Sequence, residues 1–173
     1  MRTLAIQCVG TPIPQGSKVA NRHAPGVRDA NARKLKPWRA KLAAAARAAA
    51  HADGWETLDG PIRVTIKTAH PRPAAHYRTG RHAGSLKPSV PRWKATRPDA
   101  DKLARAVLDA LTDARVIKDD SRIAWLSVFD MWTNDPDNDG GCLVYVSPLA
   151  EGEIEHAGPA VPHDSGQRDG VIL

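Results

Sequence analysis

The order of helical and strand-like patterns along the chain constrains its fold more than any other feature. An apolar run at Thr3–Val9 is typical of a strand, and a helical pattern follows at Pro37–Ala52. Apolar and polar residues then alternate over Pro61–Ala69, which predicts a half-buried strand. A second helix and two further strands are predicted at Asp99–Ala114, Ile123–Trp132 and Gly141–Ser147. This order indicates one small α/β domain, α+β-like, with two main helices packed on a mixed sheet.

The two helices have different sequence signals. The first is rich in alanine, with Pro37 expected in its first turn and Asp53-Gly54 expected to end it. The second has an apolar stripe at helical spacing. That stripe consists of Leu103, Val107, Leu108 and Leu111.

The segments between these elements are expected to be irregular. Residues 18–36 are basic and polar and predict a loop that could include a short extended piece. Residues 70–98 contain five prolines and no periodicity, which is typical of a functional or disordered loop. Residues 133–140 predict a hairpin turn rather than a calcium loop, because the distant Glu of an EF-hand is missing. The folded domain is therefore assigned to 1–147, and 148–173 is expected to be a disordered tail.

Charge is distributed unevenly along the chain. Residues 1–98 contain 19 Lys/Arg and 4 Asp/Glu, whereas the rest of the chain contains 6 and 15. A basic half joined to an acidic half suggests a surface that binds a polyanion beside an acidic functional element. Two solvated faces that neutralise each other are the alternative.

Composition also suggests a cellular setting. Cys8 and Cys142 lie in apolar, strand-like runs, so buried free thiols are expected rather than a disulfide framework. The apolar run at the N-terminus is too short for a signal peptide, and no segment is long and apolar enough to span a membrane. We expect a cytoplasmic protein that does not bind membranes.

Four carboxylates near the second helix are the candidate functional residues. Asp99 and Asp101 lie two residues apart where the helix begins, and Asp119 and Asp120 follow it as an adjacent pair. An N-cap role for Asp99 and a helix-dipole role for Asp101 are the simpler interpretations. If the chain folds back, however, four acids would repel one another unless a cation neutralised them.

Such a cluster suits Mg²⁺, which prefers oxygen ligands and keeps sites open for water and substrate phosphate. Carboxylate-held ions can polarise a phosphodiester and activate water. Arg105 shares a helical face with Asp101 and could steady the acids or contact a phosphate. Asp109 and Asp113 are expected to be solvated surface charges.

The basic half would hold the nucleic acid against this acidic site. Trp93 could stack on or wedge between bases, or it could anchor the loop in the core. His70, His76 and His82 are expected to be exposed loop histidines rather than metal ligands. The candidate residues for contact with nucleic acid are Lys18, Arg22, Arg72, Arg92, Lys94, Arg97 and Lys102.

At these positions the sequence resembles the RusA-type Holliday junction resolvases, endodeoxyribonucleases common in phage and prophage genomes. The resemblance rests on three stretches and covers roughly Thr3 to Val146. The stretches are Pro12-Ile-Pro-Gln-Gly-Ser-Lys18, Arg97-Pro-Asp-Ala-Asp-Lys-Leu-Ala-Arg-Ala-Val-Leu-Asp-Ala-Leu111 and Ile117-Lys-Asp-Asp-Ser-Arg-Ile123.

The resemblance implies a homodimer that binds four-way DNA junctions and makes paired, symmetric nicks with Mg²⁺, for which Mn²⁺ could substitute. It also implies that Asp99, Asp101 and Asp120 bind the metal and that Asp119 supports them. The family motif has Asn and Lys where this chain has Lys102 and Arg105. A guanidinium is a poor group for proton transfer, so contact with a phosphate or with the transition state is the expected role of Arg105, and Lys102 is a candidate to share that role. If the chain is phage-borne, the cytoplasm of a bacterial host would be its location.

Two rival functions remain open. A non-catalytic nucleic-acid-binding protein would use the acids only as caps and solvated charges. A metal nuclease specific for flaps or single strands would use the same acids on a different DNA structure.

Overall fold

The computed structural model describes residues 2–16, 18–20, 27–134 and 138–150, with the backbone alone described at 18–20 and 27–29. Within these described residues, the structure contains six strands and two α-helices. The strands are β1 (Leu4–Val9), β2 (Lys18–Ala20), β3 (Val27–Asp29), β4 (Ile62–His70), β5 (Ile123–Trp132) and β6 (Gly141–Pro148). The helices are α1 (Ala32–Asp53) and α2 (Ala100–Asp113), and short 3₁₀ helices include Asp120–Arg122.

A four-stranded mixed sheet organises the domain, in the order β1-β6-β4-β5. β4 and β5 are parallel, whereas β6 pairs antiparallel with both β1 and β4. The two helices contact each other, α1 packs on β1, and α2 packs on β4 and β5. The predicted small α/β domain with two main helices and a mixed sheet is confirmed.

The hydrophobic core explains why these segments adopt their structures. Alternate residues of β4, Ile62, Val64 and Ile66, are fully buried, as the period of two in the sequence predicts. The predicted stripe of α2 is also confirmed, with Leu103 and Leu111 fully buried against the same core. Each fully buried Leu or Ile side chain contributes about 1.5–3 kcal/mol of transfer free energy.

The hairpin predicted for residues 133–140 is wrong. β5 and β6 are not paired, because β4 lies between them in the sheet. The connection must therefore pass over the end of β4. Gly140 allows this close passage: its φ is +85°, and a Cβ there would collide with the carbonyl oxygen of Ala69. Residues 135–137 lie outside the described part of the chain.

Two further boundaries differ from the sequence expectation. α1 begins at Ala32, so Pro37 lies inside the helix rather than in its first turn. Its missing N–H removes one i→i−4 hydrogen bond, but the preceding turn is held by bonds from Lys34 and Leu35 to the Asn31 carbonyl. β2 and β3 form a two-stranded antiparallel ribbon in the region where the sequence predicts a loop that could include a short extended piece.

The cysteines, the membrane expectation and the C-terminal tail remain to be compared with the structure. Cys8 and Cys142 are buried free thiols, as predicted, and burial raises the pKa of each. No helix among the described residues has the length and apolarity needed to cross a bilayer. Most of the tail expected at 148–173 lies outside the described residues, and Pro148 still belongs to β6.

Candidate active site

Asp99 and Asp101 lie together where α2 begins. Asp99 occupies the N-cap position, yet its side chain makes no capping hydrogen bond. Its carboxylate instead forms an ion pair with Lys102, with 2.9 Å between Oδ2 and Nζ. Asp101 is exposed in the first turn. Both carboxylates are therefore presented to solvent at the start of α2, and the simple N-cap interpretation of Asp99 does not describe what its side chain does.

Basic neighbours hold Asp99 in its charged form. The hydrogen bond from Lys102 is the main cause that lowers the pKa of Asp99, and the charges of Arg97 and Lys94 act in the same direction. A carboxylate that is ionised and solvent-facing in this way can bind a divalent cation once Lys102 moves aside.

The second acidic pair lies in the short 3₁₀ helix that precedes β5. Asp119 caps this turn by accepting a hydrogen bond from the backbone N–H of Ser121 at 2.9 Å. Hydrogen bonds from Ser121, first from its side chain and then from its backbone, lower the pKa of Asp119. Asp120 follows it and is exposed. Asp119 thus fixes the turn that presents Asp120, which fits a supporting neighbour.

The chain does fold back after α2, since the turn at Asp120–Arg122 contacts this helix. It does so at the end of α2 opposite to Asp99. Lys94 contacts both Asp130, late in β5, and the carbonyl of Pro98, so α2 begins near the end of β5. Asp120 lies directly before the start of β5.

The two acidic pairs are therefore far apart within one chain. α2 has 14 residues, which corresponds to a length of about 20 Å. Ligand oxygens lie about 2 Å from a bound Mg²⁺, so groups about 20 Å apart cannot share one ion. Consistently, the described residues contain no group of three or more His, Cys, Asp or Glu side chains that could hold a metal ion. The expected four-acid cluster does not form within one chain.

Other charges on α2 have distinct surroundings. Arg105 and Asp101 are both exposed, and neither has a side-chain hydrogen bond or ion pair with any described residue. Asp109 and Asp113 are solvent-accessible, as expected, and both also form ion pairs with Arg39 of α1, at 2.9 and 2.6 Å. Arg39 therefore ties the two helices together, whereas Arg105 is available to a ligand.

A cleft of about 660 Å³ opens beside Asp99. One wall is the early stretch Pro14–Gly16, and the other includes Arg97 and Lys102. The backbone N–H of Gln15 donates to the carbonyl of Lys102 at 3.0 Å, which joins the early stretch to α2. The first two of the three stretches singled out in the sequence thus meet at one place, next to the Asp99 carboxylate and two cations.

The basic residues proposed for nucleic-acid contact divide into two groups. Arg97 and Arg92 are exposed, and Lys102 is half-exposed beside Asp99. Lys94 and Arg72 are buried, so their side chains do not face solvent in this conformation. Their charges are satisfied internally, because Arg72 donates to the Thr133 and Pro91 carbonyls and Lys94 pairs with Asp130. Only the backbone of Lys18 is described, and Arg22 lies outside the described residues.

Trp93 is not a core anchor. Its side chain is 52% exposed, with the Arg92 guanidinium 5.5 Å from its ring centroid. An exposed aromatic ring beside a cation is an arrangement on which a nucleobase can stack.

Asp130 was not singled out from the sequence, and its partner His70 was expected to be exposed. His70 is buried because β4 continues through it. Asp130 lies 3.0 Å from both His70 Nε2 and Lys94 Nζ. A carboxylate in the otherwise apolar run Ile123–Trp132 was the signal that could have revealed this buried cluster.

A model of the endodeoxyribonuclease RusA family matches residues 10–138. This match covers most of the 173-residue chain, including α2 and both acidic pairs. The chain belongs to the RusA endodeoxyribonuclease family. No curated protein matches the sequence.

The RusA family comprises endonucleases that resolve Holliday junctions, and such nucleases depend in general on divalent metal ions. Membership gives a chemical context to the start of α2. Ionised, solvent-facing carboxylates near a cleft that is lined by Arg97 and Lys102 are groups that are able to bind a divalent cation.

Proposed function

We propose that the chain is a Mg²⁺-dependent, structure-selective endodeoxyribonuclease that resolves four-way DNA junctions by paired, symmetric nicks. The observation that carries the proposal is the RusA family match combined with two exposed carboxylates at the start of α2, Asp99 and Asp101, of which Asp99 lines a cleft. Carboxylate oxygens, together with water and substrate phosphate, are the ligands that Mg²⁺ prefers. Mn²⁺ is expected to replace Mg²⁺ in vitro.

We propose further that the metal site is completed by a second copy of the chain. Asp120 is a predicted ligand, yet about 20 Å of helix separates it from Asp101 in the same chain. In a C2 dimer, two copies of α2 running in opposite directions would bring Asp120 of the partner subunit to Asp99 and Asp101. The same operation builds a second, identical site, as symmetric nicking of a two-fold junction requires.

Each side chain then has a role in the reaction. When bound, the ion polarises the scissile phosphodiester and promotes attack by water. Arg97 and Lys102 line the cleft and would hold the strand through its phosphates. Arg105, exposed on the same helix as Asp101, would contact a phosphate oxygen as a fixed cation. Lys102, now paired with Asp99, would transfer to the DNA when the metal binds.

The test compares two charge-removing variants on a synthetic four-way junction. Asp101→Asn and Asp120→Asn are each expected to abolish Mg²⁺-dependent cleavage, because each removes a metal ligand, while junction binding in EDTA persists or tightens. Asp113→Asn is the matched control, since this carboxylate on the same helix pairs with Arg39 and is expected to leave cleavage unchanged. Full cleavage by either ligand variant would exclude the metal assignment.

The same assay separates the two rival functions. A non-catalytic DNA-binding protein would give no nicked product with Mg²⁺, even for the unmodified chain. A flap or single-strand nuclease would be revealed by competition, because flap or linear DNA would then displace the junction from the enzyme. We expect the four-way junction to compete best.

A further inference from the structure

A buried charge cluster lies under the loop that leads into α2. Its centre is Asp130 on β5, whose side chain is 8% exposed. The Thr68 hydroxyl donates to Asp130 Oδ1 at 2.8 Å, and His70 Nε2 lies 3.0 Å from the same oxygen. The ammonium of Lys94 donates to Oδ2 at 3.0 Å. Neither oxygen of this carboxylate is left without a partner.

Lys94 connects this cluster to the start of α2. Its side chain is 2% exposed, and besides Asp130 its ammonium donates to the carbonyl of Thr96 at 2.7 Å and reaches that of Pro98 at 3.4 Å. An ammonium has three donors, and all three are directed at these oxygens. The residue that follows Pro98 is Asp99. One buried cation therefore joins the sheet to the backbone directly before the two carboxylates of the active site.

Backbone contacts hold the other end of the same segment. The N–H of Lys94 donates to the Asp130 carbonyl at 3.1 Å, and that of Trp132 donates to the Arg92 carbonyl at 3.3 Å. Residues 92–94 thus run along the outer edge of β5. Residues 95–98 have no regular secondary structure, and the Lys94 side chain links them to the sheet through its bonds to the Thr96 and Pro98 carbonyls and to Asp130.

Stability alone is a weak reason for this arrangement. A buried ion pair often contributes no more than well-packed apolar side chains of the same volume, because both charges lose their water. Burial would raise the pKa of Asp130, but the contacts with His70, Thr68 and Lys94 outweigh it and leave the pKa below its ordinary value. What the pair provides instead is a fixed, directional link.

We propose that Asp130 and Lys94 are positioning residues that hold the start of α2, and with it Asp99 and Asp101, in the arrangement that binds the metal ion. This inference rests on the proposed function, since it requires that Asp99 and Asp101 bind the metal. Partners that orient metal ligands commonly change metal affinity or activity by about 10–100-fold when they are removed.

The test is a double variant, Lys94→Met with Asp130→Asn, which removes both charges and leaves no unpaired buried ion. Mn²⁺ binding is measured by isothermal titration calorimetry without DNA, and junction cleavage is measured as a function of Mn²⁺ concentration. We expect Mn²⁺ affinity to fall about tenfold, with the cleavage rate largely restored at saturating Mn²⁺. A merely destabilised enzyme would lose rate at all metal concentrations.

Arg39→Met is the matched control, because it breaks a partly buried ion-pair network between α1 and α2 outside this cluster. It is expected to lower the melting temperature without changing Mn²⁺ affinity. Wild-type Mn²⁺ affinity in the folded double variant, or an equal loss in Arg39→Met, would overturn the positioning role.

Two further arms complete the experiment. If the double variant does not fold, Lys94→Arg retains the buried charge but replaces three ammonium donors by a planar fork, and at least a threefold loss of Mn²⁺ affinity is expected. Wild-type affinity in Lys94→Arg would overturn the proposal. Asp101→Asn distinguishes failure of the metal assignment from failure of the positioning role. Undiminished Mn²⁺ binding by Asp101→Asn rejects the metal assignment, and the positioning role with it. If Mn²⁺ affinity falls in Asp101→Asn but not in the Lys94 variants, only the positioning role is rejected.

Discussion

Two inactive variants, Asp101→Asn and Asp120→Asn, are expected to restore each other's nicking activity when mixed. If each metal site combines Asp101 of one subunit with Asp120 of the other, a mixed dimer contains one site with both defects and one site with neither. If each site lay within a single chain, every site in the mixture would carry one defect and no activity would return.

The expected recovery can be estimated. The span of α2, 14 residues or about 20 Å, prevents Asp120 from reaching the ion held by Asp101 in its own chain. Random reassociation of equal amounts makes about half of the dimers mixed, each with one intact site of two, so about a quarter of the wild-type number of sites returns. Because a mixed dimer cuts one strand only, the product is a nicked junction rather than a resolved pair of duplexes.

The assay denatures and refolds the two variants together, then follows nicks in a labelled junction on a denaturing gel and paired cuts on a native gel. Metal binding provides a second readout, since the mixture is expected to bind Mn²⁺ at about a quarter of the wild-type stoichiometry. Mixing Asp101→Asn with Asp99→Asn is the control, because both defects lie at the same end of α2 and neither site is repaired. Absence of recovery from a mixture shown to contain mixed dimers would refute the shared site.

Two other outcomes are expected. Lys102→Gln should raise the pKa of Asp99 toward its ordinary range, as carboxyl NMR titration without metal would show, because the bond from Lys102 is what chiefly lowers it. Because the pKa of Asp99 is lowered in the folded state, its carboxylate stabilises the fold at pH values above the unfolded-state pKa, and this stabilisation disappears as pH falls through the folded-state pKa. In Lys102→Gln, the free energy of unfolding should therefore depend less on pH over this acidic range. Trp93→Ala should weaken junction binding roughly fivefold or more, equivalent to about 1–3 kcal/mol for one stacked base, whereas Trp93→Phe retains a ring and most of the affinity. Equal binding by all three proteins in a gel-shift titration would remove Trp93 from the DNA surface.

Local patterns predicted the elements but not their pairing. The alternation in β4 and the apolar stripe of α2 follow from burial on one face, which sequence spacing reports directly. That β6 inserts between β1 and β4 depends on contacts between distant parts of the chain. The short connection between β5 and β6 therefore predicted a hairpin, although β4 lies between these two strands in the sheet.

The candidate site was predicted in its residue types but not in its distances. The sequence placed Asp99 and Asp101 together at the start of one helix, because residues two positions apart lie within a single helical turn. Whether Asp120 reached them depended on the direction of the chain after α2, which no local pattern reports. Lys94 was taken for a DNA contact because basic residues in loops are usually exposed, and its buried partner Asp130 lies 36 positions further along the chain.

The length of α2 has a consequence for the DNA. In the proposed dimer, the start of α2 belongs to one metal site and the turn that follows it belongs to the other, so this one helix spans the gap between the two cutting centres. The length of its 14 residues would therefore set the distance between the two scissile phosphates. Inserting one helical turn would move the centres apart by about 5.4 Å. The enzyme would then still nick a flexible strand, but it would no longer match two cuts to the exchanging strands of one junction.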